Sequence, residues 1–230
     1  MQHHTNCQQC ALRDHCIGYA QGTLDVTMTP RLYHAGESIF CQGDECEGLY
    51  IVRSGVAKVF QLTGEGDENV TGFHYPGAVM GIEGLADDHH ATFAESIGTM
   101  SVCFVPRVAL LGACAGSPTL LKSLLKVASQ SVVQNLRTQR TLGTLSAEQR
   151  VASFLLETSQ EQSRCGRSAT EIELPMRRND VAKHLALAAE TLSRTFKRLE
   201  TTGVLAVDPN DRHQVSIQSM DQLVARSHAA

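Results

Sequence analysis

Three thiols open the chain at a spacing that metal chemistry uses: Cys7-x2-Cys10-x5-Cys16. Thiolates are soft donors that suit zinc and iron-sulfur centres. The segment carrying them is too short and polar to build a core of its own, so a fourth sulfur must come from elsewhere to close an all-cysteine site. Cys103, in TMSVCFVP, is the best candidate. On residue types alone, tetrahedral zinc and a cubane both fit such a quartet. Cys41, Cys46, Cys114 and Cys165 have no partner spacing and read as small core or loop residues. His3, His4, His89 and His90 read as solvated polar side chains. No nucleophile-base pair, metal-hydrolase motif or phosphate loop supports catalysis, which argues against an enzyme.

A second constellation lies in MRRNDVAKHLALAAETLSRTFKRLETTGVLAV. Residues 179–185 read as a short helix, 186–188 as a tight turn and 189–201 as a second helix stopped by Gly203. Glu190, Ser193 and Arg194 fall at i, i+3 and i+4, on one face near the start of that second helix. Arginine can grip guanine O6 and N7 together, glutamate can accept from cytosine N4, and serine can do either. Lys197, Arg198 and Arg177 would hold phosphates. The plainer alternative is an ordinary surface pair between Glu190 and Arg194. The glycine stop, the basic surroundings and a trailing hairpin favour double-stranded DNA.

These residues need elements to position them. From about Leu32 to Val105, short strands broken by glycine turns predict a small antiparallel barrel or jelly roll. At Ser117-Pro118 the pattern turns helical. Leu121, Leu125, Ala128, Val132, Asn135, Gln139 and Leu142 then alternate by four and three as a heptad seam, ending at Gly143. Packing on its own domain and parallel pairing with a second chain both fit this seam, and pairing is favoured. The polar Asn135 and Gln139 would fix register and keep the pair only moderately stable. An amphipathic helix (150–158), a polar loop (161–169), a strand (171–174), the two short helices and a hairpin (204–207 with 214–217) spell a winged helix. The fold class is therefore α+β: a β-roll, jelly-roll-like sensor domain, a long dimerisation helix and a C-terminal winged helix-turn-helix. The expected divisions are 1–31, 32–116, 117–147 and 148–230.

The chain has 230 residues, 42% hydrophobic and 19% charged, enough apolar material for packed cores. No apolar run approaches the roughly 20 residues needed to cross a bilayer, and the start lacks a secretory pattern, so no membrane association and a cytoplasmic location are expected. In that compartment the eight cysteines are not expected to form a disulfide framework. Net charge is −4, yet residues 176–203 hold 6 basic against 3 acidic groups, a local basic patch on an acidic protein.

The order of roll, long helix and winged helix, together with Glu190-Thr191-Leu192-Ser193-Arg194, resembles the Crp/Fnr superfamily of dimeric transcription regulators over essentially the whole chain. Cyclic-AMP receptors of that family carry arginine where this chain has Ala189 and glycine where it has Ser193, so the resemblance is to the FNR-like branch. It implies inverted TTGAT-like half-sites read by Glu190, Ser193 and Arg194. Ala186 stands where the turn usually has glycine and Ala188 where Ser or Thr usually caps, each costing about 1 kcal/mol of local stability.

The FNR-like branch binds an oxygen-labile [4Fe-4S] cluster through the same cysteine pattern, so the resemblance implies Cys7, Cys10, Cys16 and Cys103 as its ligands. It further implies a homodimer that holds DNA only while the cluster is intact, and a roll segment at 62–77 that helps contact RNA polymerase. Polar His15 and a short 17–31 segment imply altered oxygen access. No Lys or Arg lies between Lys58 and Arg107, so no cyclic nucleotide is expected in the roll. A zinc or thiol switch of the same fold, or an iron-sulfur electron carrier, are the alternatives.

Overall fold

The structure, a computed structural model, describes Cys7, Cys10, Leu12, Cys16 and residues 28–227. The expectations placed on His3, His4, His15 and residues 17–27 lie outside the described residues.

In the run GLYIVRS, Tyr50 and Val52 belong to one apolar cluster while Leu49 and Ile51 belong to another. A strand turns alternate side chains to opposite faces, so a run without polar interruption signals a strand covered on both sides. That strand, β3 (Gly48–Ser54), lies within an antiparallel sheet ordered β1-β8-β3-β6, with β1 at Thr29–Tyr33, β8 at Met100–Pro106 and β6 at Val79–Met80. A second antiparallel sheet is ordered β2-β7-β4-β5, with β2 at Ser38–Phe40, β7 at Phe93–Ser96, β4 at Ala57–Leu62 and β5 at Glu68–His74. Side chains of both sheets, including Phe40, Tyr50, Val59, Met80, Ala94, Met100, Val102 and Phe104, form the roll interior. The outer face of the first sheet carries Leu49, Ile51, Cys103 and Val105. Gly48 in β3 permits close approach to β8, since a Cβ there would stand 2.1 Å from the Val105 carbonyl oxygen.

The outer face is covered by α1 (Arg107–Gly116), through Leu110 and Cys114, and by Leu120 near the start of α2 (Pro118–Thr144). Helix α1 falls where the sequence reading continued the roll. Its one buried stripe lies on the sheet, while Val108 is 85% exposed. At the junction the Leu120 amide donates to Ser117 Oγ at 3.3 Å, in keeping with a helix that opens on Ser-Pro.

The chain divides into two compact units, residues 1–134 and 135–230. In the second, Ser146 and Gln149 form a capping box that starts α3 (Ala147–Arg164). This helix runs through the first part of the loop expected at 161–169. There follow β9 (Glu171–Glu173), α4 (Arg178–His184), α5 (Ala189–Thr201), β10 (Leu205–Val207), β11 (Gln214–Ile217) and α6 (Met220–Ser227). The three strands form one antiparallel sheet, ordered β10-β11-β9. Helix α6 is absent from the sequence reading; it buries Leu223 and Ser227, and Ser153 of α3 donates to the Ser227 carbonyl at 3.3 Å.

Candidate functional site

The second helix of the expected helix-turn-helix is α5. Leu192, Thr195, Phe196 and Leu199 are buried, while Glu190, Ser193, Arg194 and Lys197 are exposed on the opposite side. The 3.6-residue period therefore separates a packing face from an exposed polar face. Glu190 and Arg194 stand 3.8 Å apart with side chains 79% and 72% exposed. Lys197 is 3.9 Å from Glu200. Arg198 is less free: its Nε lies 3.1 Å from Glu148, which also takes Arg226 at 2.6 Å. Arg177, exposed, precedes the first residue of α4.

The turn between α4 and α5 has the strain that its sequence foretells. Ala186 adopts φ +50°, the left-handed region that favours glycine. Ala188 occupies the N-cap of α5 without a side-chain hydrogen bond. At the other end, Val204 donates to the Leu199 carbonyl and Gly203, at φ +69°, to the Glu200 carbonyl. These two bonds are the paired closure of a Schellman motif.

Two arginines escaped the sequence reading. The Arg178 guanidinium lies 3.9 Å from the centre of the Phe196 ring, and its Nη2 donates to the Arg212 carbonyl at 3.1 Å. Burial draws its pKa below the usual guanidinium range, opposed by Glu200 and assisted by Arg212. Arg150 bonds only to main-chain carbonyls. Neither contact leaves a spacing signal in the sequence.

In the first unit, Cys7 and Cys16 pack against the outer-face cluster that contains Cys103, Leu110, Cys114 and Leu120. The Cys10 amide donates to the Cys7 carbonyl at 3.3 Å. Burial pushes the Cys7 thiol up, the neighbouring Cys103 and Cys10 sulfurs push it further, and Arg53 pulls it down. A thiol that burial and neighbouring sulfurs keep protonated is a donor that a bound cation would relieve. None of the eight cysteines forms a disulfide. Among the described residues no three His, Cys, Asp or Glu side chains are arranged to hold a single metal ion. A cubane presents four separate irons, so its ligands stand further apart than those of one ion. The residues present fit that group by donor type and by shared location.

Cys46 and Cys114 are buried apolar fillers, with Cys46 Sγ close to the Gly48 and Gly81 carbonyls. His90 overturns its expected solvation. It is 2% exposed and stacked on Phe40 with centroids 3.9 Å apart, and its Nδ1 lies 3.6 Å from Glu83. Arg31 lies 3.6 Å from the centre of Phe104, and Lys58 pairs with Glu68 at 3.1 Å and Glu95 at 3.8 Å. Helix α2 turns Leu120 inward and leaves Leu121, Leu125 and Val132 44%, 58% and 59% exposed. Asn135 and Gln139 are exposed, whereas Ala128 and Leu142 are half-buried.

Among the described residues no helix is long and apolar enough to cross a membrane. Residues 30–117 match the cyclic nucleotide-binding domain family and residues 149–226 the Crp-like helix-turn-helix domain. The transcriptional activator protein FnrA of Stutzerimonas stutzeri is 31% identical over 90% of this chain and 87% of its own length. The fumarate and nitrate reduction regulatory protein of Salmonella typhimurium is 30% identical over 96% of this chain and 89% of its own. The structure of FixK2 from Bradyrhizobium japonicum superposes with a TM-score of 0.82 at 28% identity, covering 89% of this chain and all of that one. Matched in both units and along most of its length, the chain belongs to the Crp/Fnr family, whose members are transcription regulators and not enzymes.

Proposed function

We propose that this protein is a cytoplasmic, oxygen-responsive regulator of anaerobic gene expression that binds, as a homodimer, palindromes of TTGAT-like half-sites. Cys7, Cys10, Cys16 and Cys103 would hold a [4Fe-4S] cluster. The observation that carries this reading is the packing of Cys7 and Cys16 on the same outer-face cluster as Cys103. When bound, the cluster supplies iron-thiolate bonds that oxygen can break. The chain's own residues do the rest. Cys7 and Cys16 hold the N-terminal thiol segment against Leu110, Cys114 and Leu120, and Leu120 belongs to the opening turn of α2. A hold on that turn biases the presentation of Leu121, Leu125 and Val132 to a second chain. Two paired chains then offer two α5 helices about one DNA turn, ~34 Å, apart. Glu190, Ser193 and Arg194 read base edges, while Lys197, Arg177 and the Glu148-held Arg198 meet phosphates.

The roll is not read as a nucleotide sensor. Phe40, His90, Tyr50 and Phe104 form an aromatic cluster in its interior, Arg31 lies over the Phe104 ring, and Lys58 is paired with Glu68. The tip of the β4–β5 hairpin, residues 61–67, is exposed throughout and supports a contact with RNA polymerase during activation.

The test is purification without air, assay of iron and acid-labile sulfide, and binding to a TTGAT palindrome before and after air. The expected result is brown protein with about four irons and four sulfides per chain, and binding that air abolishes. Colourless protein holding zinc or free thiols, with binding unchanged in air, would overturn the cluster reading. Failure to bind any palindrome would overturn the regulator reading as a whole.

A further inference from the structure

The guanidinium of Arg150 spends all three of its nitrogens on main-chain carbonyls. Nη2 donates to Leu142 at 2.7 Å, Nε to Leu145 at 3.0 Å, and Nη1 to Leu185 at 3.1 Å and Ala186 at 3.4 Å. The acceptors sit in three places: the last turn of α2, the residue joining it to α3, and the turn that follows α4. All lie within the second unit. Carbonyls at helix ends lack partners inside the helix and form its negative pole, so a cation there is doubly favoured. The guanidinium is a rigid planar fork with five donors, which one ammonium cannot imitate across three elements. Arg150 is itself fixed, since its amide donates to the Ser146 carbonyl at 2.9 Å in the capped first turn of α3. One acceptor, Ala186, is the residue held at φ +50°, so the clamp also secures the strained step of the helix-turn-helix.

We propose that Arg150 is a positioning residue that locks the last turn of α2 to the turn before the recognition helix, so that helix pairing between two chains sets the separation of their two reading faces. This rests on the palindrome reading above. Any shift of the α2 end either carries the helix-turn-helix with it or breaks charge-assisted bonds.

The test uses full-length, anaerobically prepared protein and the substitutions Arg150→Lys and Arg150→Gln. In hydrogen exchange, the amides of Leu145 and Leu187, bonded to Thr141 and Ala182 across the two clamped ends, are expected to speed up together by about tenfold. The β9–β11 sheet amides should not change. Acceleration at only one of the two ends, or equal acceleration in the sheet, would overturn the lock. In DNA binding, duplexes with the half-site separation lengthened or shortened by one base pair are compared with the native spacing and with a single half-site. Both variants should lose about tenfold at the native spacing, discriminate less among spacings, and bind one half-site as wild type does. An undiminished spacing preference refutes the proposal. If wild-type protein binds no palindrome, the functional reading falls, while exchange still decides whether the clamp couples the two ends.

Discussion

At Arg194 a salt bridge is compatible with the proposed reading role. An exposed pair such as Glu190–Arg194 contributes little stability, so either side chain can exchange its partner for a base edge at small cost. Arg194→Ala should therefore leave the fold intact, weaken binding to the TTGAT half-site by about 1–3 kcal/mol and relax preference at one base position. Lys197→Ala should instead weaken all sequences alike and lower the salt slope by about one. Competition binding against single-base variants at several salt concentrations separates the two, and a uniform loss on Arg194→Ala would remove it from the reading face. The thiols offer a parallel contrast. Cys103 and Cys114 share one buried cluster, so placing a hydroxyl at either costs similar packing. Only Cys103→Ser should lose iron, sulfide and operator binding together, whereas Cys114→Ser should retain all three. A full iron complement in Cys103→Ser would displace it as the fourth ligand. The thiol spacing and the shared exposed face of Glu190, Ser193 and Arg194 were legible because residue type and helical offset are written in one dimension. Arg150 was not, because its partners are carbonyls up to 36 residues away that any residue could supply. His90 was misread for the same reason: its burial is created by Phe40, which is distant in sequence.

The strands announced themselves through alternation and glycine, and α5 occupies the span its sequence predicts. Helices α1 and α6 did not. RVALLGACAG interleaves two glycines with apolar residues on every side, so no polar face marks its period, and only the sheet beneath it selects Leu110 and Cys114 for burial. Helix α6 is two turns long, too short for periodicity to stand out. Elements whose stability comes from a neighbour leave the weakest trace. The Ala186–Ala188 turn allows this to be measured, since its defects are local. Ala186→Gly removes the left-handed penalty at φ +50°, and Ala188→Ser supplies the missing cap oxygen to α5. Each should raise stability by about 1 kcal/mol, or roughly 2–4 °C in the melting temperature. The operator affinity of the folded protein should change little. A lowered melting temperature for Ala186→Gly would show that the loss of backbone freedom on folding outweighs the relief of strain.

On the scale of the whole molecule, α2 presents an apolar stripe whose inward neighbours, Leu120 and Leu124, already serve the roll. Leu121, Leu125 and Val132 are exposed in the single chain, and Leu136, outside the expected seam, is 60% exposed. A two-fold interface uses each seam residue twice, so Leu125→Asp should remove about 3–6 kcal/mol of burial. That is a rise of roughly two to four decades in the dimer dissociation constant, with the melting of the roll unchanged. Sedimentation of the anaerobic protein measures it. The opposite substitution tests how oxygen acts. Lys122, Lys126, Arg137 and Arg140 are the only charged residues of α2, so no acid on that helix can pair with a basic residue across the seam, and the polar Asn135 and Gln139 weaken its apolar contact. If the hold of the arm on the first turn of α2 tips a marginal dimer, then Asn135→Leu should hold the pair together without that help. It should bind the TTGAT palindrome after air has removed the iron. Asn135→Leu protein that stays dimeric in air yet releases DNA would show that pairing is not the quantity oxygen controls. The signal would then have to reach the reading helix through the joint at the end of α2.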